Sequence, residues 1–207
     1  MHQYVFECVP RDILMKVVLT CAGTLRKNMA GVEQCVYYLA KFLQQKKIEV
    51  EVFCVTENPV GKTEYDGIPI TEFPGIILNK SFYFSLELYR ALQEGNHDVI
   101  HAYGINSLTT LTALAAKKKN QTMIITGASS ISSSAFRKKL HPAMYFFYRM
   151  LSKKINTLVC VSDYEWDLFH QNISLPEKKY VLIPNGIDVA RFASVKKTVE
   201  KFSILTV

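Results

Sequence analysis

The spacing with the clearest chemical meaning lies between the first apolar run of the chain and the first helical pattern, where Gly31 precedes Glu33. A glycine between a strand and a helix lets a ligand come close to the backbone, and the free N–H groups and positive dipole end of the helix favour a phosphate. A tight turn without a ligand would also use a glycine here, and the dipole alone favours a carboxylate in a first helical turn. The segment is therefore a candidate phosphate-binding loop, with a simple turn as the alternative.

Three other short patterns lack the context that their chemistry needs. Gly61-Lys62-Thr63 looks like the end of a P-loop, but the required glycine five residues before Gly61 is Thr56. His97 and His101 are four residues apart on a predicted strand, so they do not share a face as two zinc ligands on a helix would. No G-x-G-x-x-G sequence follows a predicted strand, which argues against a dinucleotide-binding module. We expect no cofactor and no metal ion.

The cysteines indicate a reducing compartment rather than a disulfide framework. None forms a C-x-x-C pair, and an odd number of isolated thiols suits the cytosol; the five are Cys8, Cys21, Cys35, Cys54 and Cys160. No secretory signal is evident, and no apolar stretch approaches the roughly 20 residues that span a bilayer. We expect a cytoplasmic protein that is soluble or peripheral at the inner face of the membrane.

The composition is that of a globular α/β domain with an excess of positive charge. The chain has 207 residues, of which 49% are hydrophobic and 21% charged, and its net charge is +7. This charge allows an anionic partner such as a sugar nucleotide, an acidic lipid surface or a nucleic acid. A solvated, lysine-rich surface without a partner is the alternative.

Strand patterns alternate with helical patterns along most of the chain. Several of the strands are continuous Val/Ile runs, as expected for parallel strands covered on both faces; they are Met15–Cys21, Glu49–Val55, Ile68–Phe73, Asp98–Ala102, Thr122–Thr126, Thr157–Val161 and Tyr180–Ile183. An apolar stripe predicts a first helix at 32–43, and further helices are predicted at about 80–94, 105–119, 134–155 and 162–172. This order predicts an α/β fold with a doubly wound, mostly parallel sheet.

Two segments do not follow the alternation. Thr63–Pro74 contains Asp66-Gly67, a typical two-residue turn, and is predicted to form a small hairpin-like excursion. Residues 1–14 precede the first buried strand and offer no helix or strand partner of their own, so we expect a dispensable N-terminal extension, with Met15 as the true start of the chain as the alternative.

The segment after the last strand, Ile183-Pro184-Asn185-Gly186-Ile187-Asp188 followed by Phe192, resembles the I-P-N-G-V-D-x-x-x-F sequence of retaining GT-B glycosyltransferases of family 4. Four further segments resemble the same family in the same order: Asn28–Glu33, Asp98–Gly104, Ile125-Thr126 and Val159–Ser162. Each is weak alone, but five in the correct order and spacing are specific.

The resemblance implies the N-terminal, acceptor-side half of a GT-B architecture, with a Rossmann-like domain at 15–193 and a linker plus the first strand of a donor-binding domain at 194–207. Such an enzyme transfers a sugar, with retention, from a nucleoside-diphosphate sugar to a hydroxyl acceptor that is often lipid-linked. The donor is held mainly by the other domain, and nucleic acid is not expected as a partner. The resemblance implies seven cleft-lining positions and no catalytic residue in this half; they are Ala30, Gly31, Tyr103, Gly104, Asn106, Ser129 and Ser162.

The chain departs from the family pattern at two places. Ala30 replaces the first glycine of the Gly-Gly-x-Glu loop. The family often has a histidine two residues after the threonine matched by Thr126, and here that position is Ala128, followed by a serine-rich stretch. Those serines offer hydrogen bonds to a polyol, with a loop that caps the next helix as the alternative.

Two other functions stay open at this stage. A sugar-nucleotide epimerase can share the GT-B architecture, since a fold does not fix a chemistry; a Glu-x7-Glu motif in the donor-binding half would argue against it. A non-catalytic binding module would require an ordered final strand at Phe202–Val207, whereas we expect that strand to lack its sheet and to favour self-pairing.

The predicted helix at 134–155 has aromatic residues on most of its faces and basic clusters at both ends. Its spacing predicts that Met144, Phe147 and Leu151 face the sheet. A sharper hypothesis is that Phe136 and the cluster Arg137-Lys138-Lys139 face an anionic membrane.

Overall fold

The computed structural model describes residues 15–26, 29, 31–78, 82–128 and 135–186. Within them, the strands are β1 (Lys16–Ala22), β2 (Glu49–Thr56), β3 (Lys62–Tyr65), β4 (Ile68–Pro74), β5 (Ile76–Leu78), β6 (Phe82–Phe84), β7 (Val99–Tyr103), β8 (Thr122–Thr126), β9 (Thr157–Cys160) and β10 (Tyr180–Leu182). The helices are α1 (Gly31–Gln45), α2 (Leu86–Glu94), α3 (Leu108–Ala116), α4 (Ala135–Met150) and α5 (Asp163–Asn172).

Eight of the strands form one sheet in the order β10-β9-β8-β7-β1-β2-β4-β3. All neighbouring pairs in it are parallel except β3 with β4. The strands β1, β2 and β7 to β10 are each followed or preceded by a helix that crosses back over the sheet, which is the doubly wound arrangement. The predicted fold class is therefore confirmed.

The hairpin predicted around Asp66-Gly67 is confirmed by the antiparallel pairing of β3 with β4. Both turn residues have positive φ, +49° at Asp66 and +75° at Gly67, as a two-residue turn between twisted strands requires. The description of this segment as an excursion is wrong for β4, which also pairs in parallel with β2 and belongs to the main sheet.

The helix predicted at about 80–94 begins later than expected. Residues Phe82–Phe84 form β6, which pairs with β5 in a separate two-stranded ribbon. The helix begins after Ser85, whose side chain accepts a hydrogen bond from the Leu88 amide at 3.2 Å. An aromatic run favours the strand, and the serine cap fixes the point where the helix starts.

Apolar side chains pack on both faces of the sheet because successive strand residues point to opposite sides. Val18 lies in the core that also contains residues of α2 to α5, whereas its neighbour Leu19 lies in a smaller core formed with α1. The sheet is thus covered by four helices on one face and by α1 on the other.

The core-facing side predicted for the helix at 134–155 is confirmed for Met144 and Leu151 and is wrong for Phe147. Phe147, expected to face the sheet, is 46% exposed, while Met144, Tyr145 and Tyr148 are buried. The Tyr148 hydroxyl donates to the Ile105 carbonyl at 2.7 Å, so a buried hydroxyl with a partner fixes the rotation of the helix.

Several predictions concern residues outside the described ranges. These include the extension at 1–14, the linker and strand at 194–207, and the side chains of Phe136 and Arg137-Lys138-Lys139. Among the helices of the described part, none has the length and apolar character to cross a membrane.

Candidate functional site

The carboxyl ends of the parallel strands meet at one edge of the sheet. The order in which the strands are added reverses at β1. One neighbour of β1 is β2 and the other is β7, so the connections after β1 and β7 leave the edge in opposite directions. In open α/β sheets this divergence creates a crevice, and ligands bind in it. The loops after β1, β7, β8, β9 and β10 border this crevice and form the candidate site.

The loop after β1 starts with a glycine that lies against a carboxylate. Gly23 has φ of +87°, and its N–H donates to the Val55 carbonyl at 3.0 Å. A β-carbon on Gly23 would lie 2.6 Å from Oε1 of Glu33, which is in the first turn of α1. The other oxygen, Oε2, is buried and accepts no hydrogen bond from the residues that the structure describes. Unused hydrogen-bonding capacity therefore lies at the base of the crevice.

A buried carboxylate on β4 fixes the position of this loop. Glu72 is 2% exposed and accepts two hydrogen bonds from Arg26, each of 2.8 Å, one from the Thr24 hydroxyl at 2.5 Å and one from the Val60 amide at 3.1 Å. Burial by itself would raise the pKa of Glu72, but these hydrogen bonds outweigh burial and hold the pKa below its usual value. The ionised carboxylate thus ties the loop after β1 to the neighbouring part of the sheet.

The loop after β7 is built from glycine and capping interactions. Gly104 has φ of +87°, and its N–H donates to the Thr126 carbonyl at 3.0 Å. The Thr110 hydroxyl donates to the Gly104 carbonyl at 2.7 Å, and Ser107 caps α3 by accepting from the Thr109 amide. The predicted position Asn106 lies between these anchors and is partly exposed at the crevice edge.

Tyr103 and Gly104 are adjacent, but their side chains have different surroundings. Only 8% of Tyr103 is exposed, and its ring stacks on His101 with centroids 4.7 Å apart. Burial raises the pKa of the Tyr103 hydroxyl, partly offset by a hydrogen bond with Thr126. Its backbone therefore borders the crevice while its ring belongs to the core beneath.

His101 is a site residue that the sequence reasoning missed. Its Nε2 lies 2.8 Å from the Thr126 hydroxyl on the neighbouring strand β8. Burial lowers the pKa of His101 to about 4, so the imidazole is neutral at physiological pH. The chain lacks a histidine two residues after Thr126, yet an imidazole approaches the same threonine from β7. Only the pairing of β7 with β8 reveals this contact.

The loops after β8 and β9 are joined through Glu165. Ser162 caps α5 by accepting a hydrogen bond from the Glu165 amide at 3.3 Å, and Glu165 Oε2 accepts one from the Val161 amide at 2.9 Å. The pattern differs from a capping box in that the carboxylate accepts from the residue before the N-cap, and the spacing Ser-x-x-Glu is a sequence signal for such a helix start. A β-carbon on Gly127 would lie 2.4 Å from the same oxygen, so the loop after β8 depends on glycine there.

The Pro-Asn-Gly segment after β10 lies near the first helix. The Cys35 thiol is 3.7 Å from Oδ1 of Asn185, although the two residues are 150 positions apart. The Ile183 amide also donates to the Cys160 carbonyl at 2.9 Å and keeps the segment next to β9. The segment that carried the family resemblance therefore borders the same crevice as α1.

Of the seven predicted cleft positions, the structure describes Gly31, Tyr103, Gly104, Asn106 and Ser162, and all five lie at the carboxyl edge of the sheet. A β-carbon on Gly31 meets no atom of the described residues within 4 Å, so among these residues the backbone at the start of α1 faces open space. Ala30 and Ser129 lie outside the described residues. Within the described ranges, no group of three or more His, Cys, Asp or Glu side chains is placed to hold a metal ion.

Comparisons with known proteins agree with this arrangement. The model of glycosyltransferase family 4 matches residues 29–191. A galactosyltransferase of Escherichia coli, UDP-Gal:alpha-D-GlcNAc-diphosphoundecaprenol alpha-1,3-galactosyltransferase, is 18% identical over 170 residues, which cover 80% of this chain and 44% of that protein. A glycosyltransferase from Rickettsia africae ESF-5 has a similar fold, with a TM-score of 0.57 at 15% identity over 88% of this chain and 46% of that one. The chain spans less than half the length of either protein.

Proposed function

Because the chain belongs to glycosyltransferase family 4, we propose that it is the acceptor-side half of an enzyme that transfers a sugar from a nucleoside-diphosphate sugar to a hydroxyl acceptor with retention. The observation that carries this proposal is the convergence of five loops at the carboxyl edge of the sheet, around the point where the strand order reverses. Such a crevice is where open α/β sheets bind phosphorylated ligands.

Each described position has a proposed role in that crevice. The open backbone at Gly31 suits close approach of a phosphate to the N-terminus of α1, since nothing lies within 4 Å of a β-carbon there. Gly104 is proposed to keep the loop after β7 close to the edge of the sheet. Asn106 is proposed to hydrogen-bond to acceptor hydroxyl groups through its amide. Ser162 already caps α5, so its hydroxyl is proposed to contact the ligand in addition to its structural hydrogen bond. Tyr103 shapes the floor of the crevice through its backbone.

Ala30 and Ser129 are proposed to line the same crevice on the basis of the family resemblance alone. The unpaired Oε2 of Glu33 is proposed to accept a hydrogen bond from a bound acceptor. His101 is half-buried beside Thr126, and we propose that it orients the Thr126 hydroxyl.

The acceptor is proposed to be a hydroxyl group of a lipid-linked sugar. The Escherichia coli relative acts on such a substrate, a sugar carried by diphosphoundecaprenol. A net charge of +7 suits both the diphosphate of that carrier and an anionic membrane surface. The chain would then work in the cytoplasm, peripheral to the inner face of the membrane.

The proposal is tested by NMR titration with a water-soluble, short-chain prenyl-diphosphate-linked GlcNAc and, separately, with UDP and GDP. We expect the acceptor analogue to shift the amide signals of Gly31, Gly104 and Asn106, while amides at the opposite sheet edge, such as Lys119, stay unchanged. We expect weak binding of the nucleotides, because family resemblance assigns most diphosphate contacts to the other domain. Micromolar affinity for UDP or GDP, or analogue-induced shifts spread over both edges, would contradict the acceptor-side assignment.

A variant makes the titration specific to the crevice. Gly31→Val places a branched side chain at the start of α1, where a β-carbon meets no atom of the described residues within 4 Å. We expect weaker binding of the analogue with an unchanged fold, as judged by the amide spectrum outside α1. Unchanged affinity would place the phosphate away from this helix.

A further inference from the structure

Lysines from three connections gather at the amino edge of the sheet, opposite the crevice. Each connection leads into one of the neighbouring parallel strands β8, β9 and β10, so all three lie at the same end of those strands. They contain seven lysines, namely Lys117, Lys118, Lys119, Lys153, Lys154, Lys178 and Lys179, and a single acidic residue, Glu177. We call these seven residues the lysine edge.

The lysines are close enough to affect one another. Burial, followed by the positive charges of Lys154 and Lys179, lowers the pKa of Lys117. Lys118 donates to the carbonyl groups of Gln93 and Gly95 at the end of α2, and Lys154 donates to the Ala115 carbonyl at 2.6 Å.

The lysine edge has little compensating charge. Within the described part of the chain, no member of it forms an ion pair with a carboxylate. Lys119, Lys153 and Lys178 are exposed. The edge is therefore a surface of concentrated positive charge.

A row of exposed apolar side chains on α4 leads into the lysine edge. Phe146, Phe147 and Met150 are 62%, 46% and 60% exposed and, with Ala143, follow the spacing of one helical face. The buried side chains of α4 occupy the other face, so the helix is apolar on both sides. Lys153 follows Met150 by three residues, just after the helix ends. We call the three large exposed side chains the α4 stripe.

We infer that the α4 stripe and the lysine edge together form a surface that docks the chain on an anionic lipid bilayer. Lysines near such a surface are attracted by its negative potential, and exposed aromatic and Met side chains gain free energy by entering the boundary between head groups and acyl chains. A polyanion such as RNA would satisfy the lysines but would leave the α4 stripe in water. The two features side by side therefore favour a bilayer.

The position of α4 relates this surface to the crevice. The helix follows β8 and precedes β9, so it runs from the crevice edge of the sheet to the lysine edge. A bilayer lying along α4 would thus pass beside the crevice opening. Docking on the bilayer would bring a lipid-linked acceptor to the site, and this purpose rests on the proposed function. The contact proposed here lies at the C-terminal end of α4, apart from Phe136 and its basic neighbours, whose side chains are outside the description.

The test uses vesicle flotation with phosphatidylcholine alone and with phosphatidylcholine plus phosphatidylglycerol, at low and high salt. We expect binding only to the anionic vesicles and its loss at high salt. The variant K119Q/K153Q/K178Q should bind about a hundred-fold more weakly, since each lysine near the surface contributes roughly five-fold. The control K46Q/K47Q/K62Q removes the same charge beside β2 and β3, at least three strands away from β8 in the sheet order, and should bind within about three-fold of wild type.

A second pair of variants tests the apolar half of the surface. F146S/M150S should weaken binding about ten-fold through lost apolar burial, whereas F42S/L86S, which changes side chains of similar exposure elsewhere, should not. The inference is overturned if wild type does not float with anionic vesicles, if the two lysine variants behave alike, or if F146S/M150S binds as wild type does. Equal competition by single-stranded RNA would make the surface a general polyanion site and would also overturn it.

The vesicles contain neither a sugar-linked lipid nor a nucleotide. Failure of vesicle binding therefore leaves the NMR result on acceptor binding intact, and failure of acceptor binding leaves the membrane surface standing. The two outcomes are distinguishable.

Discussion

The carboxylate of Glu165 fills the space that a side chain at position 127 would need. A β-carbon on Gly127 would lie 2.4 Å from Oε2 of Glu165 and 2.6 Å from Cε2 of Phe169, and both neighbours are buried. Gly127 belongs to the loop after β8 and Glu165 to α5, so this contact joins two loops of the crevice.

Gly127→Ala is therefore expected to lower the free energy of unfolding by about 2 kcal/mol, because a buried carboxylate and an aromatic ring must move. Urea denaturation followed by circular dichroism measures the change. Gly31→Ala is the matched control, since its β-carbon meets no atom within 4 Å. Equal stability of the two variants would show that the loop after β8 has more room than the contact implies.

Ser162→Ala is expected to cost about 1 kcal/mol of stability, because α5 loses its N-cap. Ser162→Asp keeps an acceptor for the Glu165 amide and should restore most of the loss, as measured by thermal unfolding. A ligand role for Ser162 predicts that the aspartate variant still binds the acceptor analogue less well. If alanine and aspartate give the same stability, the cap does not support the helix.

Glu72→Gln is expected to cost about 2 kcal/mol at neutral pH, since Arg26 loses a charged acceptor for its two hydrogen bonds. The folded-state pKa of Glu72 lies below its usual value of 4.5. Its stabilisation is therefore complete above pH 4.5 and is lost as pH falls through the lower, folded-state pKa. Denaturation curves across this range should show wild type converging on the variant. Glu64→Gln, an exposed change on β3, is the control and should leave the pH profile parallel to wild type.

His101 is expected to make stability rise with pH between the unfolded-state pKa of 6.5 and the folded-state pKa of about 4. In this window the unfolded chain binds more protons than the folded chain, so acid favours unfolding, by up to roughly 3 kcal/mol. His101→Gln should flatten this part of the profile, and His170→Gln, an exposed change on α5, should not. An NMR titration that gives His101 a pKa near 6.5 would contradict the prediction.

Much of the architecture could be predicted from local patterns. Continuous Val/Ile runs predicted the buried strands, and Asp66-Gly67 predicted a hairpin, because period and turn chemistry act over a few residues. The start of α5 is local in the same way, because the N-cap Ser162 accepts a hydrogen bond from the Glu165 amide three residues later. The cleft positions, by contrast, came from the family resemblance, and their role in binding stays a prediction.

The tertiary structure alone decided which distant groups meet. Sheet order puts His101 beside Thr126 and Asn185 beside Cys35, and neither pair has any signal in its local sequence. Rotation of α4 was decided by the buried hydroxyl of Tyr148, so Phe147 faces solvent although its spacing fits the core equally well. The lysine edge likewise exists only because parallel strands bring the ends of three separate connections together. Local sequence fixes periodicity and turns, whereas long-range contacts depend on which strands become neighbours when the whole core is packed.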